Sequence, residues 1–408
     1  MKPDFWITLG IVTLTYIGVG AGRWPSLRAN RTTIALIGVG LLLVTRQVAF
    51  EDLGGFLDID TLVILLSMMI LNANLRIAGF FDLAAHALIR RARTPRQLLL
   101  WLLAASGLLS AFFLNDTICL MFTPLVVDLL LALRRNPVPY LIGLAAAANI
   151  GSVATITGNP QNMIIGIASG IPYLEFLAAL APIAILGLGV AWVVLVRLYP
   201  AEFTAGTLDP PDMAPPKVLP SRLWKSLAVS AGLLVAFLLG APVAEAAFLA
   251  ACVLLLTRRV HPESVFREFN WELLLFFAAL FVVTGSLEAN GVAERLFAVL
   301  RLGPETGLWP FAGLTALFSN LVSNVPAVLL LRPVIPNLAN PAGGWLALAA
   351  ASTLAGNLTL LGSVANLIVA ELSAHRKVTL GFGEYLRAGI PITLATLVIA
   401  VLWLGRYW

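Results

Sequence analysis

Long apolar segments follow one another along this chain, and most are close in length to a membrane crossing. A helix of about 20 apolar residues spans the ~30 Å hydrocarbon core of a bilayer. The runs are continuous and do not alternate with polar residues, which favours transmembrane helices over the strands of a transmembrane barrel. The pattern predicts ten transmembrane helices, at 5–22, 32–46, 58–78, 138–169, 173–199, 223–240, 244–257, 271–290, 345–372 and 384–406.

Two further apolar segments, 97–133 and 306–338, are interrupted near their middles by polar residues that begin at Asn115 and at Ser323. Each arm of such a segment has only about 15 residues, which is short for a full crossing at 1.5 Å per residue. We therefore interpret both as re-entrant hairpins that enter and leave on one face, with tips buried in protein or lining a wet cavity. The alternative is two ordinary spans joined by a short loop.

The predicted span 138–169 contains a second kind of interruption, which runs from Thr157 to Asn162. Gly158 permits strained backbone and Pro160 lacks a donor, so one half-helix should end here and another begin. Freed carbonyls can ligate a cation, and freed N–H groups can face an anion or an oxygen-rich neutral solute. A kink filled by neighbouring side chains is the simpler alternative.

The span 345–372 carries a matching interruption from Gly362 to Asn366, without the proline. Matched copies favour a binding site over two independent kinks, because paired interrupted helices are typical of secondary transporters built from inverted repeats.

The whole chain reads as two copies of one pattern. At an offset of 209 residues Asn115 aligns with Asn324, and at 204 residues Asn162 aligns with Asn366. Each half holds five predicted spans and one hairpin, and this odd number of crossings inverts the second half relative to the first. We predict an all-α polytopic membrane protein with the broken helices at the midplane. The halves are 1–199 and 223–408, joined by a proline-rich linker at 200–222.

Composition agrees with a membrane protein. Of 408 residues, 60% are hydrophobic and 12% charged, whereas a soluble domain is about 25% charged. The net charge of +5 does not indicate nucleic-acid binding, because the basic residues sit in short clusters between apolar runs.

These basic clusters predict the orientation, since cytoplasmic loops are rich in Lys and Arg. Both flanks of the first hairpin are basic, whereas those of the second are poor in Lys and Arg. The first hairpin and the linker are therefore predicted on the cytoplasmic side of the inner membrane, and Arg46 is the exception. The basic residues assigned to the cytoplasm are Arg23, Arg28, Arg31, Arg90, Arg91, Arg93, Arg96, Arg134, Arg135, Arg258, Arg259, Arg376 and Lys377.

Asp116 is the only carboxylate that this topology places well inside the membrane, and its repeat partner is Val325. An ionised acid at that depth is costly, so we expect it to bind a cation or carry a proton. A role in capping the hairpin arm is the alternative, since Asp suits a helix start.

The sequence offers no support for an enzyme. No buried His pairs with an acid or a thiol, and no phosphate-binding loop is present, so neither a hydrolase nor an ATPase is expected. No metal site and no cofactor are predicted apart from the coupling ion, H⁺ or Na⁺.

The two interrupted regions resemble those of the ion transporter superfamily, in particular its arsenical-pump and citrate-anion permease branch. The residues that carry the resemblance are Asn115-Asp116-Thr117 through Pro124, Gly158-Asn159-Pro160-Gln161-Asn162, Gly79-Phe80-Phe81 and Gly383 to Gly389.

The resemblance implies a homodimer in which a transport domain moves as an elevator against a fixed scaffold. The scaffold helices would lie at 1–96 and 223–305, and the transport parts at 97–199 and 306–408. For an arsenite permease it also implies a cytoplasmic ATPase partner.

The hairpin tips depart from the Ser-Asn-Thr of the related sodium–dicarboxylate symporters. The second tip keeps Ser323 and Asn324 but has Val325 in the third position. This departure favours proton coupling through Asp116 over two equivalent sodium sites.

The leading functional prediction is proton-coupled export of a small oxygen-rich solute, with arsenite or antimonite as the best single guess. A sodium- or proton-coupled di- or tricarboxylate symporter is the alternative, and a sodium/proton antiporter is the weaker one. The predicted substrate- and ion-binding residues are Asn115, Asp116, Thr117, Thr157, Gly158, Asn159, Asn162, Ser323, Asn324, Gly362, Ser363 and Asn366.

Overall fold

The computed structural model describes residues 3–21, 29–204, 206–208, 216–256 and 262–408, and the regular structure in these ranges is helical. The helices are α1 (Pro3–Ala21), α2 (Arg31–Val44), α3 (Leu53–Phe56), α4 (Ile59–Ile77), α5 (Phe80–Arg91), α6 (Pro95–Phe112), α7 (Asn115–Ala132), α8 (Val138–Ser152), α9 (Pro160–Ser169), α10 (Tyr173–Leu198), α11 (Pro220–Leu238), α12 (Val243–Leu255), α13 (Pro262–Phe266), α14 (Trp271–Ala289), α15 (Val292–Val299), α16 (Leu308–Val322), α17 (Asn324–Leu331), α18 (Pro341–Ala355), α19 (Val364–His375) and α20 (Phe382–Leu404).

Local signals set many of the helix starts. The side chains of Asn30, Asp58 and Thr94 each accept a hydrogen bond from a backbone N–H in the first turn of the following helix. Such caps satisfy donors that have no partner within the helix. Helix positions therefore follow the predicted spans closely. The basic residues at 23, 28, 258 and 259 and the prolines of the linker at 210, 211 and 215 lie outside the described residues.

Two short helices, α5 and α15, were not predicted. They occupy equivalent places in the two halves, directly before the hairpins, where the sequence pattern indicated only flanking segments. Both are amphipathic, with acidic residues Asp82 and Glu294 in their first turns. Their length is too short for a span, so a search for apolar runs passes over them.

The hairpins differ from the predicted geometry in the lengths of their arms. The arms of the first hairpin, α6 and α7, have 18 residues each rather than about 15. Together with α4, α10, α11, α14 and α20 they are apolar and long enough to cross a membrane, which makes seven such helices in the described part of the chain. The second hairpin has arms of 15 and 8 residues, and its shorter arm continues as a 3₁₀ helix at Arg332–Asn337.

Equivalent helices of the two halves pack against each other in a reciprocal pattern. The third long helix of each half packs on the second helix of the other half, so that α4 contacts α12 and α14 contacts α2. Likewise α7 packs against α19, and α17 packs against α9. This reciprocal pairing brings both hairpin tips and both helix interruptions to the centre of the molecule.

Three ion pairs lie at the two ends of the helix bundle. One end holds the Arg76–Glu268 and Arg135–Glu202 ion pairs, and the other holds the Arg332–Asp58 pair. The described parts of the linker are docked at the first end, where Phe203 is fully buried. There the Phe203 carbonyl accepts a hydrogen bond from Arg96. On the other side of the undescribed residues the N–H of Leu219 donates to the carbonyl of Ala78, so the linker is fixed to the bundle at both ends.

Candidate functional site

Four helix N-termini meet at one cavity in the centre of the protein. They are the starts of α7 and α17, which follow the hairpin tips, and of α9 and α19, which follow the helix interruptions. Each N-terminus leaves N–H groups without partners in its own helix and carries a partial positive charge. The cavity therefore favours oxygen atoms that accept hydrogen bonds. The lining residues at these four starts are Asn115, Asp116, Pro160, Gln161, Ser323, Asn324, Val325, Ser363 and Val364.

The tip of the first hairpin is fixed to the first interruption through its backbone. The N–H of Asn115 donates to the carbonyl of Gly158 at 3.1 Å. A Cβ at Gly158 would lie 2.7 Å from Cα of Ser152 and 2.9 Å from the carbonyl oxygen of Ser110. Glycine is required here by this close approach and not by the strained backbone that the sequence suggested, since Gly158 does not have a positive φ. The arrangement leaves the Asp116 side chain facing the cavity.

The tip of the second hairpin has an unusual backbone conformation. Ser323 has φ 82° and ψ 158°, a region that is populated almost only by glycine and costs about 1–3 kcal/mol for other residues. The next residue, Asn324, is buried, and its Oδ1 atom has no hydrogen-bond partner among the described residues. The strained turn thus places a residue with an unpaired acceptor in the wall of the cavity.

Asn149, near the end of α8, joins both halves of the site. Its Nδ2 donates to the Oδ1 atoms of Asn357 and Asn366, each at 3.0 Å. Its Oδ1 accepts from Nδ2 of Asn115 at 3.2 Å and from Oγ of Ser363 at 3.0 Å. One fully used amide therefore holds the first hairpin tip and the second interruption in register.

Asn162 and Asn366 stabilise the two interruptions in the same way. Nδ2 of Asn162 lies within 3.3 Å of the carbonyls of Ser152, Val153 and Thr155. Nδ2 of Asn366 donates to two carbonyls of its own interruption, at 2.8 and 3.0 Å. The carbonyls that the breaks release thus have partners in this conformation.

Asn159 begins α9 and also reaches the other half of the chain. Its Oδ1 accepts from the N–H of Asn162 at 2.8 Å, and its Nδ2 lies 3.3 Å from Oγ1 of Thr353. Gln161 donates to the same Thr353 hydroxyl at 3.1 Å. These contacts lock the second half-helix of one repeat to the first half-helix of the other.

Arg31 completes the electrostatics of the cavity. It is the first residue of α2 and lines the cavity together with Asp116. The charge of Arg31 is also the opposite charge that acts on Asp116. The side chains lining the cavity include one basic and one acidic residue, so their formal charges, +1 and −1, cancel. The cavity then has no net formal charge when both groups are ionised.

A larger cavity adjoins the first and shares Asp116 with it. We call this cavity the vestibule. It is lined by Asn72, Arg76, Thr117 and Glu268 among other residues, and it lies at the end of the bundle that holds the Arg76–Glu268 pair. Asp116 therefore stands between the vestibule and the central cavity.

The predicted site residues fall into three groups. Asn115, Asp116, Ser323, Asn324 and Ser363 line the central cavity, and Thr117 lines the vestibule. The second group, Gly158, Asn159, Asn162, Gly362 and Asn366, builds the interruptions behind the cavity wall.

Thr157 forms the third group, because it belongs to neither cavity. Its hydroxyl lies 3.1 Å from the hydroxyl of Tyr173, and it lines a separate apolar cavity beside α11. The structure thus separates Thr157 from the residues with which the sequence grouped it.

Sequence reasoning missed Asn149, Asn357 and Arg31. A signal for the first two was present: both are asparagines within alanine-rich predicted spans, and they align at an offset of 208 residues. Arg31 carried no such signal, because an arginine at the start of a span looks like part of a cytoplasmic basic cluster.

The sequence profile of the citrate transporter family matches residues 23–355. The silicon efflux transporter LSI3 of Oryza sativa subsp. japonica is 29% identical over 454 residues, which covers 94% of each chain. The putative transporter arsB of Dictyostelium discoideum is 23% identical over 518 residues, covering 98% of this chain and 92% of that one.

The fold also resembles that of a solved transporter. The crystal structure of the Alcanivorax borkumensis YdaH transporter superposes with a TM-score of 0.62 and 20% identity, and the match covers 99% of this chain and 98% of that one. At this identity the likeness concerns the fold alone. Because the family profile spans most of the sequence, and because the chain is a bundle of apolar helices around a polar cavity, this protein is a secondary transporter of the citrate transporter family.

Proposed function

We propose that this transporter exports a small, neutral, hydroxyl-rich solute in exchange for protons. Arsenous or antimonous acid is the best single guess, and silicic acid belongs to the same chemical class. The observation that supports this proposal is the central cavity, where four helix N-termini and several amides surround a space with no net formal charge. Hydroxyl groups both donate and accept hydrogen bonds, so they match amide side chains and free N–H groups together.

The charges of the cavity count against a tricarboxylate. A citrate trianion would meet one arginine, whose charge is already offset by Asp116. Carboxylate recognition commonly uses several charged donors, often bidentate arginines. The silicon efflux transporter and the arsB-like transporter among the relatives support the neutral solute.

We assign proton coupling to Asp116. Its position between the vestibule and the central cavity lets it exchange protons with the vestibule while it contacts the solute space. Protonation would free Arg31 from its opposite charge, so proton and solute binding would be electrostatically linked. A half-buried acid with a single opposing charge suits a proton better than Na⁺, which prefers several oxygen ligands.

An elevator movement is supported by the way the helices pack. Helices α6, α8, α10, α16, α18 and α20 form one packed group, and α1, α2, α4, α11, α12 and α14 form another. These groups correspond to the transport parts at 97–199 and 306–408 and to the scaffold helices at 1–96 and 223–305. The solute cavity lies where they meet, since Arg31 belongs to the scaffold and Asp116 to the transport part.

The orientation proposed from the sequence places the vestibule on the cytoplasmic side of the inner membrane. Arg76 and Arg135 lie at the same end of the bundle as the vestibule, and positive charge favours the cytoplasm. A homodimer with the scaffold at its interface remains a proposal from the resemblance, as does an ATPase partner.

The purified protein in proteoliposomes tests the proposed function. A proton gradient with an acidic interior should drive accumulation of arsenite, antimonite or silicic acid, because protons leaving the vesicle exchange for solute. Accumulation in the same direction as the protons would contradict exchange, and dependence on Na⁺ would contradict proton coupling. Failure of all three solutes and of citrate to move would reject every substrate considered.

A second candidate function, anion symport, is favoured by Arg31. If Asp116 is protonated, Arg31 and the four helix N-termini form a site for a monovalent or divalent anion. Citrate or another carboxylate would then move in the same direction as protons. Transport of citrate without transport of arsenite in the same vesicles would select this function over the first.

A further inference from the structure

Asn72 is the most conspicuous polar residue that the proposed site does not use. It lies on α4, one turn before Arg76, and its relative exposure is 4%. Neither Oδ1 nor Nδ2 has a hydrogen-bond partner among the described residues. A buried amide normally has partners for both groups, because leaving them unpaired is costly. The unpaired amide therefore requires an explanation.

The position of Asn72 explains why its amide is unpaired, because Asn72 lines the vestibule together with Asp116 and Thr117. The amide belongs to the scaffold, and the two other residues belong to the first hairpin. A solute in the vestibule would therefore contact both parts of the protein before it reaches the central cavity.

The equivalent residue in the other half of the chain, by contrast, has a hydrogen-bond partner. At an offset of 212 residues Asn72 aligns with Thr284 on α14. Thr284 is also buried, but its hydroxyl forms a hydrogen bond with the hydroxyl of Tyr16 on α1. In one repeat the polar group at this position has a partner within the protein, whereas in the other it is an unpaired, buried amide in the wall of the vestibule.

We propose that Asn72 forms a second solute-binding site in the vestibule, which captures the hydroxyl-rich solute before it enters the central cavity. An amide offers one acceptor and two donor hydrogens, and a neutral hydroxylated acid can pair with both kinds of group. A carboxylate only accepts hydrogen bonds, so it would leave Oδ1 of Asn72 unpaired. Asn72 thus selects neutral solutes over anions. This inference rests on the proposed function and adds a specificity residue to it.

Substitution of Asn72 by leucine tests the proposal in proteoliposomes that contain the full chain. Asn72→Leu should raise the KM for arsenite and for silicic acid about 5- to 10-fold, the loss expected from one or two hydrogen bonds. The maximal rate and the proton coupling should remain, because Asp116 and the central cavity are unchanged. An unaltered KM for both solutes would overturn the proposal.

Asn74→Leu is the matched control on the same helix. The Asn74 amide donates to the carbonyl of Ile70 in its own helix and does not line the vestibule. Its substitution should leave the KM unchanged. Equal changes of KM in both variants would show a general effect on α4 and would also overturn the proposal.

A labelling experiment separates failure of this inference from failure of the proposed function. In a chain with Cys119→Ala and Cys252→Ala, a membrane-impermeant maleimide should label Asn72→Cys and should not label Thr284→Cys. Absence of labelling at position 72 would overturn the vestibule site whatever the solute. Labelling at 72 in a protein that moves neither arsenite nor silicic acid would reject the proposed function and the solute class assigned to Asn72, while the wet vestibule would stand.

Discussion

The two halves of the site share one backbone design but differ in chemistry and in exposure. The first hairpin tip carries Asp116 where the second carries Val325. The first interruption, 153–159, is buried throughout, whereas the second, 356–363, includes the exposed Leu361. Strain is also unequal, because Ser323 has a positive φ while its counterpart Leu114 has an ordinary one.

These differences indicate a division of labour within the repeat. The first half provides charge and a rigid, fully packed interruption. The second half provides neutral polar groups on a more accessible and more strained backbone. Duplication supplies the symmetric frame, and divergence of a few side chains makes the proposed ion and solute sites asymmetric within it.

The largest effect should follow from removing the only charge difference between the tips. Asp116→Asn keeps the shape of the side chain but cannot carry a proton at neutral pH. Gradient-driven solute transport should therefore fall by about tenfold or more, since an intramembrane acid of this kind is functional. Proteoliposome uptake at several pH values measures the loss.

Asp52→Asn is the control for that variant, because Asp52 is exposed and lies outside both cavities. It should transport like the unaltered protein. If Asp116→Asn still accumulates solute against a gradient with unchanged pH dependence, Asp116 is not the coupling residue.

The next largest expected effect is a loss of stability, which should be greater when Asn149 is replaced than when its repeat partner Asn357 is replaced. Asn149→Ala removes four hydrogen bonds from the centre of the site. We expect a loss of about 2–4 kcal/mol of stability, because several buried groups lose their partners. The variant should melt at a clearly lower temperature in detergent.

Asn357→Ala serves as the comparison, because it removes one of those bonds together with an amide nitrogen that has no described partner. Its melting temperature should fall much less. Equal destabilisation by the two substitutions would contradict the central role of Asn149.

A smaller difference in stability is expected between variants that lack the amides of the two interruptions. Asn162→Ala removes the amide from three carbonyls in a fully buried segment, of which that of Ser152 keeps a hydrogen bond from Asn159, and a cost of about 1–3 kcal/mol is expected. Asn366→Ala removes the amide from two carbonyls in a partly exposed segment, where that of Thr359 still accepts from the N–H of Gly362, and it also removes one acceptor of Asn149. Thermal unfolding of both variants should rank Asn162→Ala as the less stable, and the reverse order would show that exposure does not relieve the second interruption.

The smallest expected effect is a change of stability at the tip of the second hairpin, where the backbone of Ser323 is strained. Ser323→Gly should raise stability by about 1 kcal/mol, because glycine adopts this backbone without the steric cost that serine bears. Leu114→Gly, at the equivalent place in the first tip, should lower stability, since its φ is already favourable and its buried side chain is lost. A destabilised Ser323→Gly variant would mean that the serine side chain holds the tip.

Much of the fold was predictable because each helix had to be apolar over a membrane's thickness and each interruption had to be polar. The positions of the tips at Asn115 and Ser323 and of the breaks at Gly158 and Gly362 follow from that contrast. The arm lengths of the first hairpin were wrong, since apolar residues continue into its flanks and the pattern alone does not mark where a helix ends.

The sequence by itself determined the class of protein, the duplicated frame and most of the residues near the cavity. Only the tertiary structure brought Arg31 to Asp116, made Asn149 the link between the halves and placed Thr157 beside Tyr173, away from both cavities. These outcomes depend on contacts between residues far apart in the chain. Local hydrophobicity and repeat alignment show which positions are polar, but packing between helices of the two halves decides which polar groups face one another.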